Sequence, residues 1–512
     1  NIRIGGGEIF FDFVSPRGVI KDVQLGVPVS INIENGIAAM ALAQLAGATD
    51  EELREEPKLG ERPSPFLKAV PVWPYGEGMV NKMNFSVRFK AAFDADGTSA
   101  VLRIIGTSAY RIRLNGAFVG YGPARSPRGF FRVDEWPLDK VLRRTGNALE
   151  IEAVGYNCNS YCHLDQPAFL QAEVVSGGKV LVATTGKGGD FTAESTERVR
   201  KVPRYSFQRP FTESYIYGKQ WDAFFTDPDY APEAAELVPA DGGVFLERGV
   251  PYCRYRELAA EKTVNSGICR KALLKKTFDD RSFTAISEQL KGFPKNELER
   301  AVVNELYALK SVIGNRETRP FAPVRLPENG FVTCDMGMNT TGFIKIAVRV
   351  EENTTLYAVF NEKLPENGVP DAGRDNCANV VCWELEAGRE YSLVSFEPYT
   401  YKYIQIISLG GRASLLSVSQ LRETYDETLT VYKKSMPNPA LQKIYDAAYE
   451  SFVQNATDIF MDCPSRERAG WLCDSFFIGR VNKLLCGETE MERLFLQNYV
   501  LPEKFDCLPD AA

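Results

Sequence analysis

The segment MDCPSRERAGWLCDS, residues 461–475, holds side chains that could carry out acid–base chemistry. Glu467 lies between Asp462 and Asp474 along the chain, and Trp471 follows it closely. A carboxyl group that donates a proton near neutral pH needs a raised pKa, which burial or a neighbouring carboxylate can provide. The spacing therefore makes Glu467 a candidate for such an acid.

The other side chains of this segment suit the binding of a polar ring. Arg466 offers a planar fork of hydrogen-bond donors, and Trp471 offers a flat apolar wall. Purely structural roles for these residues also stay open. The run from Arg466 to Arg468 could be an ordinary exposed charged turn. Trp471 could belong to a core, and Asp462 could merely cap a helix.

Composition narrows the chemistry. The 512 residues include one histidine, His163, so a multi-histidine metal site is excluded within this chain and carboxylates remain as the acids and bases. His163 itself is predicted to be a loop or core residue. The eleven cysteines are an odd number at spacings that are not those of zinc ribbons. Mostly free, packed thiols are expected, Cys463 and Cys473 among them.

Charge and hydropathy exclude two classes of partner. The formal net charge of −7 argues against a nucleic-acid binder, and no apolar run is long enough to span a membrane. Aromatic residues reach 11%, which suits β-sandwiches and sugar-stacking surfaces. The chain starts at Asn1 without a Met, so the compartment stays open: cytoplasmic or, if a leader was removed, periplasmic or secreted.

Alternating apolar residues predict antiparallel β-sandwiches through the middle of the chain. Tyr110, Ile112 and Leu114 alternate with arginines, and Asn115-Gly116 follows as a two-residue type I′ turn. We expect a lectin-like jelly-roll over residues 76–260 and a second β-sandwich over residues 261–435. Residues 295–311 read as a helical excursion. The role of residues 1–75 is unclear; a strand at 7–16 and a helix at 35–46 are indicated.

The period changes from two to 3.6 near residue 436. Asn438 can cap a helix that starts at Pro439 and runs to about Ile459. Its apolar face would comprise Leu441, Tyr445, Ala448 and Phe452. Two further helices are expected at 474–486 and 491–501. Residues 436–512 are thus predicted to be the first helices of a larger helical domain that this chain does not complete.

Several motifs in order resemble one family. DCPSRERAGWLCD resembles the signature of the inverting α-L-rhamnosidases, at the entrance to their six-hairpin α/α barrel. SAYRIRLNGAFVGYGPARS looks like their jelly-roll, CDMGMNTTGFIKIAV like their next β-sandwich, and MPNPALQKIYDAAYESFVQN like their first barrel helix. The resemblance implies a multidomain β plus α fold, with N-terminal antiparallel β-sandwich domains followed by the start of an α/α six-hairpin barrel.

The resemblance also implies roles. Glu467 matches the family's general acid, and the sugar-binding positions of its −1 subsite match Asp462, Arg466, Trp471 and Asp474. The family's general base is a Glu in the later part of the barrel, which we expect beyond this chain. The segment departs from the family pattern in two ways. Cys473 stands where many members have Gly, and Arg-Glu-Arg replaces Arg-Asp-Glu-Arg.

The implied function is a glycoside hydrolase that releases terminal α-L-rhamnose by an inverting acid/base mechanism. Its partners would be rhamnose-containing oligosaccharides, polysaccharides or glycosides. No cofactor is expected, although Asn157, Asn159 and Asp165 could hold calcium, because some family jelly-rolls bind sugar with calcium. Two alternatives stay open: a non-catalytic carbohydrate-binding protein on the same fold, and a related α/α-barrel glycosidase acting on another sugar. The oligomeric state is not indicated.

Overall fold

Antiparallel β-sheets occupy most of the chain up to residue 424, and helices follow from residue 439 in the computed structural model. The structure describes the following residues: 2–5, 8–15, 18–25, 64–97, 99–195, 199–218, 235–273, 276–432, 434–487 and 490–501. The predicted order of β-sandwich structure followed by helices is confirmed.

Three strands near the N-terminus form a small antiparallel sheet: β1 (Ile2–Gly5), β2 (Glu8–Ser15) and β3 (Gly18–Leu25). The strand expected at 7–16 is present as β2. The helix expected at 35–46 lies outside the described residues.

The first sandwich packs two sheets against each other. The strands of this part of the chain are β4 (Val72–Pro74), β5 (Phe85–Phe93), β6 (Val101–Gly106), β7 (Ala109–Leu114), β8 (Ala117–Gly122), β9 (Phe130–Pro137), β10 (Asn147–Gly155), β11 (Leu170–Ser176), β12 (Lys179–Ala183), β13 (Thr192–Ser195), β14 (Arg204–Ser206), β15 (Arg209–Phe211), β16 (Glu213–Tyr217), β17 (Leu237–Pro239) and β18 (Val244–Glu247). One sheet has the order β13-β5-β10-β7-β8 and the other β17-β4-β11-β6-β9-β18, with β12 beside β11. Trp73, Phe89, Ile104 and Ile151 are fully buried in this core, because alternate residues of each strand face inward.

The second sandwich is built mainly from later strands, of which β24 is the longest. The strands are β19 (Arg254–Ala259), β20 (Lys262–Lys271), β21 (Leu309–Asn315), β22 (Arg319–Pro320), β23 (Val324–Leu326), β24 (Gly330–Val350), β25 (Thr354–Asn361), β26 (Val380–Leu385), β27 (Arg389–Val394), β28 (Tyr399–Leu409) and β29 (Ala413–Thr424). Strand β24 pairs with β20 and β28 along one half and with β27 and β29 along the other. Trp383, Leu393, Tyr401 and Ile404 fill the core.

The two sandwiches share strands across the predicted boundaries. Strand β4 precedes residue 76 and belongs to the first sandwich. Strand β16 pairs in parallel with β26 of the second sandwich, and β19 pairs with β29. The division at residues 76 and 260 stays a prediction.

The helix expected over residues 295–311 is confirmed at Val302–Tyr307 and is wrong for the rest of that range. Only Val302–Tyr307 is α-helical there (α2), after a 3₁₀ turn at Lys295–Glu297 and a short helix α1 at Arg281–Thr284. Residues Leu309–Asn315 instead form β21, which pairs with β20. Sheet pairing has overridden the local helical propensity of this stretch.

The three C-terminal helices are α3 (Pro439–Asn455), α4 (Leu472–Cys486) and α5 (Glu490–Val500). Asn438 caps α3 by accepting a hydrogen bond from the Ala440 amide, as predicted. The predicted apolar face of α3 is buried only at its C-terminal end, where Phe452 joins the helical core, while Leu441 is 50% exposed. No helix of the described ranges is long and apolar enough to cross a membrane.

Ten cysteines fall within the described ranges, and all ten are free. Six of these are buried and Cys463 is half-buried, as expected of packed thiols. The expectation is wrong for Cys473, which is exposed on α4.

The turn between β7 and β8 has the backbone that the sequence predicts. Asn115 has φ 54° and Gly116 has φ 79°, both in the left-handed region that a type I′ turn requires. The Asn115 side chain donates to the Val141 carbonyl oxygen at 2.8 Å and accepts from the Ala148 amide at 3.0 Å. The turn residue therefore also ties the hairpin to its neighbouring strand.

We expect Asn115→Ala to destabilise the first sandwich by about 2 to 4 kcal/mol, because it places a Cβ-bearing residue without local hydrogen bonds at positive φ and removes both contacts. Asn115→Gly is the matched control, since it tolerates positive φ and loses only the contacts. The measurement is the first unfolding transition in denaturant. Equal stability of the alanine variant and the parent would contradict this account.

Candidate active site

The loop between α3 and α4 carries the candidate acid, and Asp462 closes it. The Asp462 amide donates to the Ala469 carbonyl oxygen, and Oδ1 of Asp462 accepts from the Ala469 amide, both at 2.9 Å. The pKa of Asp462 is raised, mainly by burial and further by the charge of Glu467, although the hydrogen bond from the Ala469 amide lowers it in part. The loop backbone is thus fixed on either side of Glu467 by one carboxylate.

The Glu467 carboxylate lies between two partners of its own segment. Nη2 of Arg466 donates to Oε1 at 2.6 Å, and Nε1 of Trp471 donates to Oε2 at 2.9 Å. The Glu467 side chain is 13% exposed, whereas that of Arg466 is 51% exposed. The carboxylate is therefore oriented by a half-buried indole on one side and by a largely exposed guanidinium on the other.

Asp474 is placed apart from the other predicted residues. It is exposed in the first turn of α4, and no described hydrogen bond or ion pair joins it to them. The structure thus brings Asp462, Arg466, Glu467 and Trp471 together and leaves Asp474 exposed, without a described contact to this group.

Tyr161 of the first sandwich completes this cluster and was missed by the sequence reasoning. Its ring meets the Trp471 ring edge to face, with centroids 5.4 Å apart. Its neighbour Cys162 donates through Sγ to the Glu467 carbonyl oxygen at 3.3 Å. Burial raises the pKa of Tyr161, and the charge of Glu467 raises it further. Tyr161 belongs to the stretch YNCNSYCHLDQP, which also holds His163 and the residues suggested for calcium. Its aromatic ring is the sequence feature that could have indicated a contact with Trp471.

Arg209 fixes the position of the loop that carries Glu467. This fully buried residue donates through Nη1 to the Ser465 carbonyl oxygen at 3.0 Å, and through Nη2 to Glu397 at 3.2 Å and to the Pro398 carbonyl oxygen at 3.1 Å. Its guanidinium also lies over the Tyr399 ring, 5.3 Å from the centroid. A cation of the first part of the chain thereby fixes the loop against the second sandwich.

Arg125 makes a second anchor. Arg125 donates two hydrogen bonds to the Asp458 carboxylate, from Nη2 to Oδ1 at 2.7 Å and from Nε to Oδ2 at 3.0 Å. It also donates to the Arg468 carbonyl oxygen. Arg468, at φ 54°, in turn pairs with Glu423 of β29 at 3.3 Å. Burial would raise the pKa of Asp458, but the charge and hydrogen bonds of Arg125 outweigh it and hold that pKa well below its usual range.

Glu397 lies at the centre of these buried charges. It accepts from the Tyr121 hydroxyl at 3.0 Å and the Tyr156 hydroxyl at 2.6 Å, and Nε2 of His163 lies 3.6 Å away. Burial would raise the pKa of Glu397, but His163 and Arg209 hold it well below its usual range. The prediction that His163 is a loop or core residue is confirmed, because His163 lies in a loop and is half-buried. A cavity of about 60 Å³ remains between these residues.

The residues suggested for calcium make protein contacts instead. The Asn157 amide donates to the Val80 and Gln166 carbonyl oxygens, and Asp165 pairs with Lys291 at 2.5 Å. Oδ1 of Asn159 accepts from the Asp165 amide at 3.0 Å. Within the described ranges, no group of three or more His, Cys, Asp and Glu side chains could hold a metal ion. Calcium binding stays a prediction.

Comparison with known proteins finds a family-model match near the C-terminus and several similar folds. Residues 435–507 match the family model of the bacterial α-L-rhamnosidase six-hairpin glycosidase domain. The fold matches the GH78 family rhamnosidase of Bacillus sp. GL1 with a TM-score of 0.64 at 16% identity, over 83% of this chain and 62% of that chain. It matches the α-L-rhamnosidase from Dictyoglumus thermophilum with a TM-score of 0.55 at 14% identity, over 86% of this chain and 44% of that chain.

A third similar structure is the Streptomyces avermitilis α-L-rhamnosidase complexed with L-rhamnose, with a TM-score of 0.50 at 16% identity, over 82% of this chain and 37% of that chain. The fold of this chain, with β-domains in front of a helical domain, is thus similar to that of these three structures. The match at residues 435–507 agrees with the resemblance of the sequence to the α-L-rhamnosidases.

A short match of another kind is also present. A stretch of 54 residues is 76% identical to UDP-N-acetylmuramate–L-alanine ligase of Phocaeicola vulgatus, over 10% of this chain and 12% of the ligase. The ligase of Parabacteroides distasonis is 60% identical over 55 residues, again 12% of its length. The chain therefore spans about an eighth of these curated relatives, and the match carries no functional conclusion.

We expect Arg125→Gln to lower the free energy of unfolding by about 3 to 5 kcal/mol, because it leaves Asp458 buried without its cation. In the native protein the depressed pKa of Asp458 stabilises the fold above about pH 4, and this contribution is lost as the pH falls through the lower folded value. The destabilisation should therefore be largest near neutral pH and shrink below about pH 4.

Denaturant unfolding at the two pH values measures this effect. Arg125→Gln combined with Asp458→Asn is the matched control and should recover part of the loss at neutral pH, because no buried charge is left unpaired. A loss that is the same at both pH values would show that packing rather than charge pairing holds the loop.

Proposed function

We propose that the protein containing this chain is an inverting glycoside hydrolase that releases terminal α-L-rhamnose from glycans or glycosides. The observation that carries the proposal is the Glu467 carboxylate, oriented by Arg466 and Trp471 on a loop inside the rhamnosidase-domain match. The chain covers 62% of the Bacillus enzyme, so the activity is proposed for the whole protein.

Glu467 is proposed as the general acid that protonates the leaving oxygen. Its two carboxylate oxygens are taken by Arg466 and Trp471, so one partner must move before an oxygen can face a glycosidic bond. Arg466 is the freer of the two, because half of its side chain is exposed. In this proposal Arg466 turns its donors to the sugar hydroxyls when substrate binds, while Trp471 keeps the carboxylate oriented.

The remaining predicted residues have different parts in the proposal. The Trp471 ring provides the apolar wall of the sugar site, and Tyr161 braces that ring from the side. Asp462 holds the loop and adds negative charge beside Glu467. Asp474, which is exposed, is proposed to accept a hydrogen bond from a sugar hydroxyl.

Inversion also needs a second carboxylate that activates water, about 6.5 to 9.5 Å from the acid. Asp462 is not proposed for this role, because its carboxylate is committed to the loop backbone. The resemblance places the base on a later segment of the barrel, outside the described residues.

We expect Glu467→Gln in the complete protein to slow hydrolysis of saccharide-linked rhamnose by about 10²- to 10⁴-fold, because the amide keeps the shape but cannot donate the proton. Activated aryl α-L-rhamnosides should slow less, since a good leaving group needs less protonation. Steady-state rates on both substrates measure the difference. Glu390→Gln, an exposed glutamate of a surface ion pair, is the matched control. Wild-type rates on both substrates would exclude Glu467 as the acid.

The first product should be the inverted β-anomer of L-rhamnose, because water attacks opposite the leaving group. Proton NMR of an aryl α-L-rhamnoside reaction, recorded before the anomers equilibrate, detects it. Initial release of the α-anomer would contradict inversion. Aryl glycosides of other sugars serve as controls: faster hydrolysis of one of them would favour the alternative glycosidase, and hydrolysis of none would favour a carbohydrate-binding protein.

A further inference from the structure

A cavity of about 410 Å³ opens beside the candidate acid, on the side of the β-domains. Arg466 lines it and also contacts Glu467, so the cavity and the candidate acid share one side chain. The other lining residues come from three separate segments of the chain and include Phe207, Asp279, Arg281, Asp375 and Asn376. This volume lies within the range of small-molecule sites.

A row of rings connects this cavity to the Trp471 wall. The Tyr161 ring meets Trp471 on one side and the Phe207 ring on the other, at centroid distances of 5.4 and 5.9 Å. The Arg281 guanidinium lies over the Phe207 ring, with its Cζ 3.4 Å from the ring centroid. Tyr161, Phe207 and Trp471 are each only half-buried, so the row presents a partly open aromatic edge.

The polar groups of the cavity suit a neutral polyhydroxyl ligand. The lining contains the carboxylates of Asp279, Asp280 and Asp375 against the guanidiniums of Arg281 and Arg466, a difference of one negative charge. Such a near balance gives no strong attraction for a phosphate or another polyanion. Carboxylates and an amide accept hydroxyl protons, guanidiniums donate to hydroxyl oxygens, and aromatic rings face the apolar side of a sugar.

We propose that this cavity binds the saccharide residue to which the rhamnose is attached, that is, the leaving group of the reaction. The proposal rests on the proposed hydrolysis of rhamnosides at Glu467. It assigns leaving-group recognition to the β-domains, through Phe207, Arg281 and Asp375, while the helical loop holds the rhamnose. Arg466 lies between the two sugars and contacts the bond that breaks.

Kinetics on two substrates test this assignment in the complete protein. Phe207→Ala should lower kcat/KM about fivefold to tenfold on a rhamnosyl-glucose disaccharide, mainly through KM, and change hydrolysis of α-L-rhamnosyl fluoride, whose leaving group is too small to fill the cavity, by less than about twofold. Arg281→Gln is a second variant at an exposed position, in case Phe207→Ala does not fold. Arg349→Gln, in an exposed ion pair far along the second sandwich, is the matched control. Equal losses on both substrates, or no loss on either, would overturn the subsite.

A binding measurement separates this proposal from the proposed function. Calorimetry in the Glu467→Gln background compares L-rhamnose with the rhamnosyl-glucose disaccharide. The subsite predicts that the disaccharide binds more tightly, and that adding Phe207→Ala abolishes the difference. Equal affinities in the parent overturn the subsite alone. Tighter disaccharide binding by a protein that hydrolyses no rhamnoside supports the subsite and overturns the proposed function. Binding of neither sugar overturns both.

Discussion

The carboxylate of Glu397 is the buried charge on which the candidate site depends. It ties together hydroxyls of the first sandwich, Tyr121 and Tyr156, and the guanidinium of Arg209. Arg209 then holds the Ser465 carbonyl oxygen of the loop that carries Glu467. The position of the candidate acid is therefore set by residues of all three parts of the chain, through one carboxylate and one guanidinium.

Charges buried this deeply stabilise the fold only while every partner is present. A buried ion costs several kcal/mol in lost hydration, which its pair must repay. The pairs Arg125–Asp458 and Arg468–Glu423 meet this condition by joining the helical loop to different β-domains. The β-domains thus act as part of the frame of the site, and the proposed leaving-group subsite extends that role to recognition.

Local signals in the sequence predicted the local structure well. The Asn115-Gly116 turn and the Asn438 cap depend on residues close in sequence, so their patterns were readable. The helix expected at 295–311 failed in part, because its C-terminal part pairs with β20, a partner that local propensity cannot reveal.

The candidate site was likewise predictable only where its residues lie close together in the sequence. The stretch 466–471 contains Arg466, Glu467 and Trp471, so these three residues could be grouped from their spacing alone. Tyr161 and Arg209 reach the loop from more than 250 residues away in sequence, where one sequence gives no sign of contact. Those contacts form only once the sandwiches dock against the helices.

The order of these anchors along the chain has a consequence for synthesis. Arg125, Arg209 and Glu397 all leave the ribosome before residues 458–468. Because domains of large proteins generally fold as units, N-terminal first, the loop emerges next to binding partners that are already formed. A circular permutant that begins with the helices would reverse this order, so that Asp458 would wait without its cation until Arg125 of the first sandwich was made. Permutation should therefore lower the yield of protein that folds during synthesis more than it lowers the stability of the folded state.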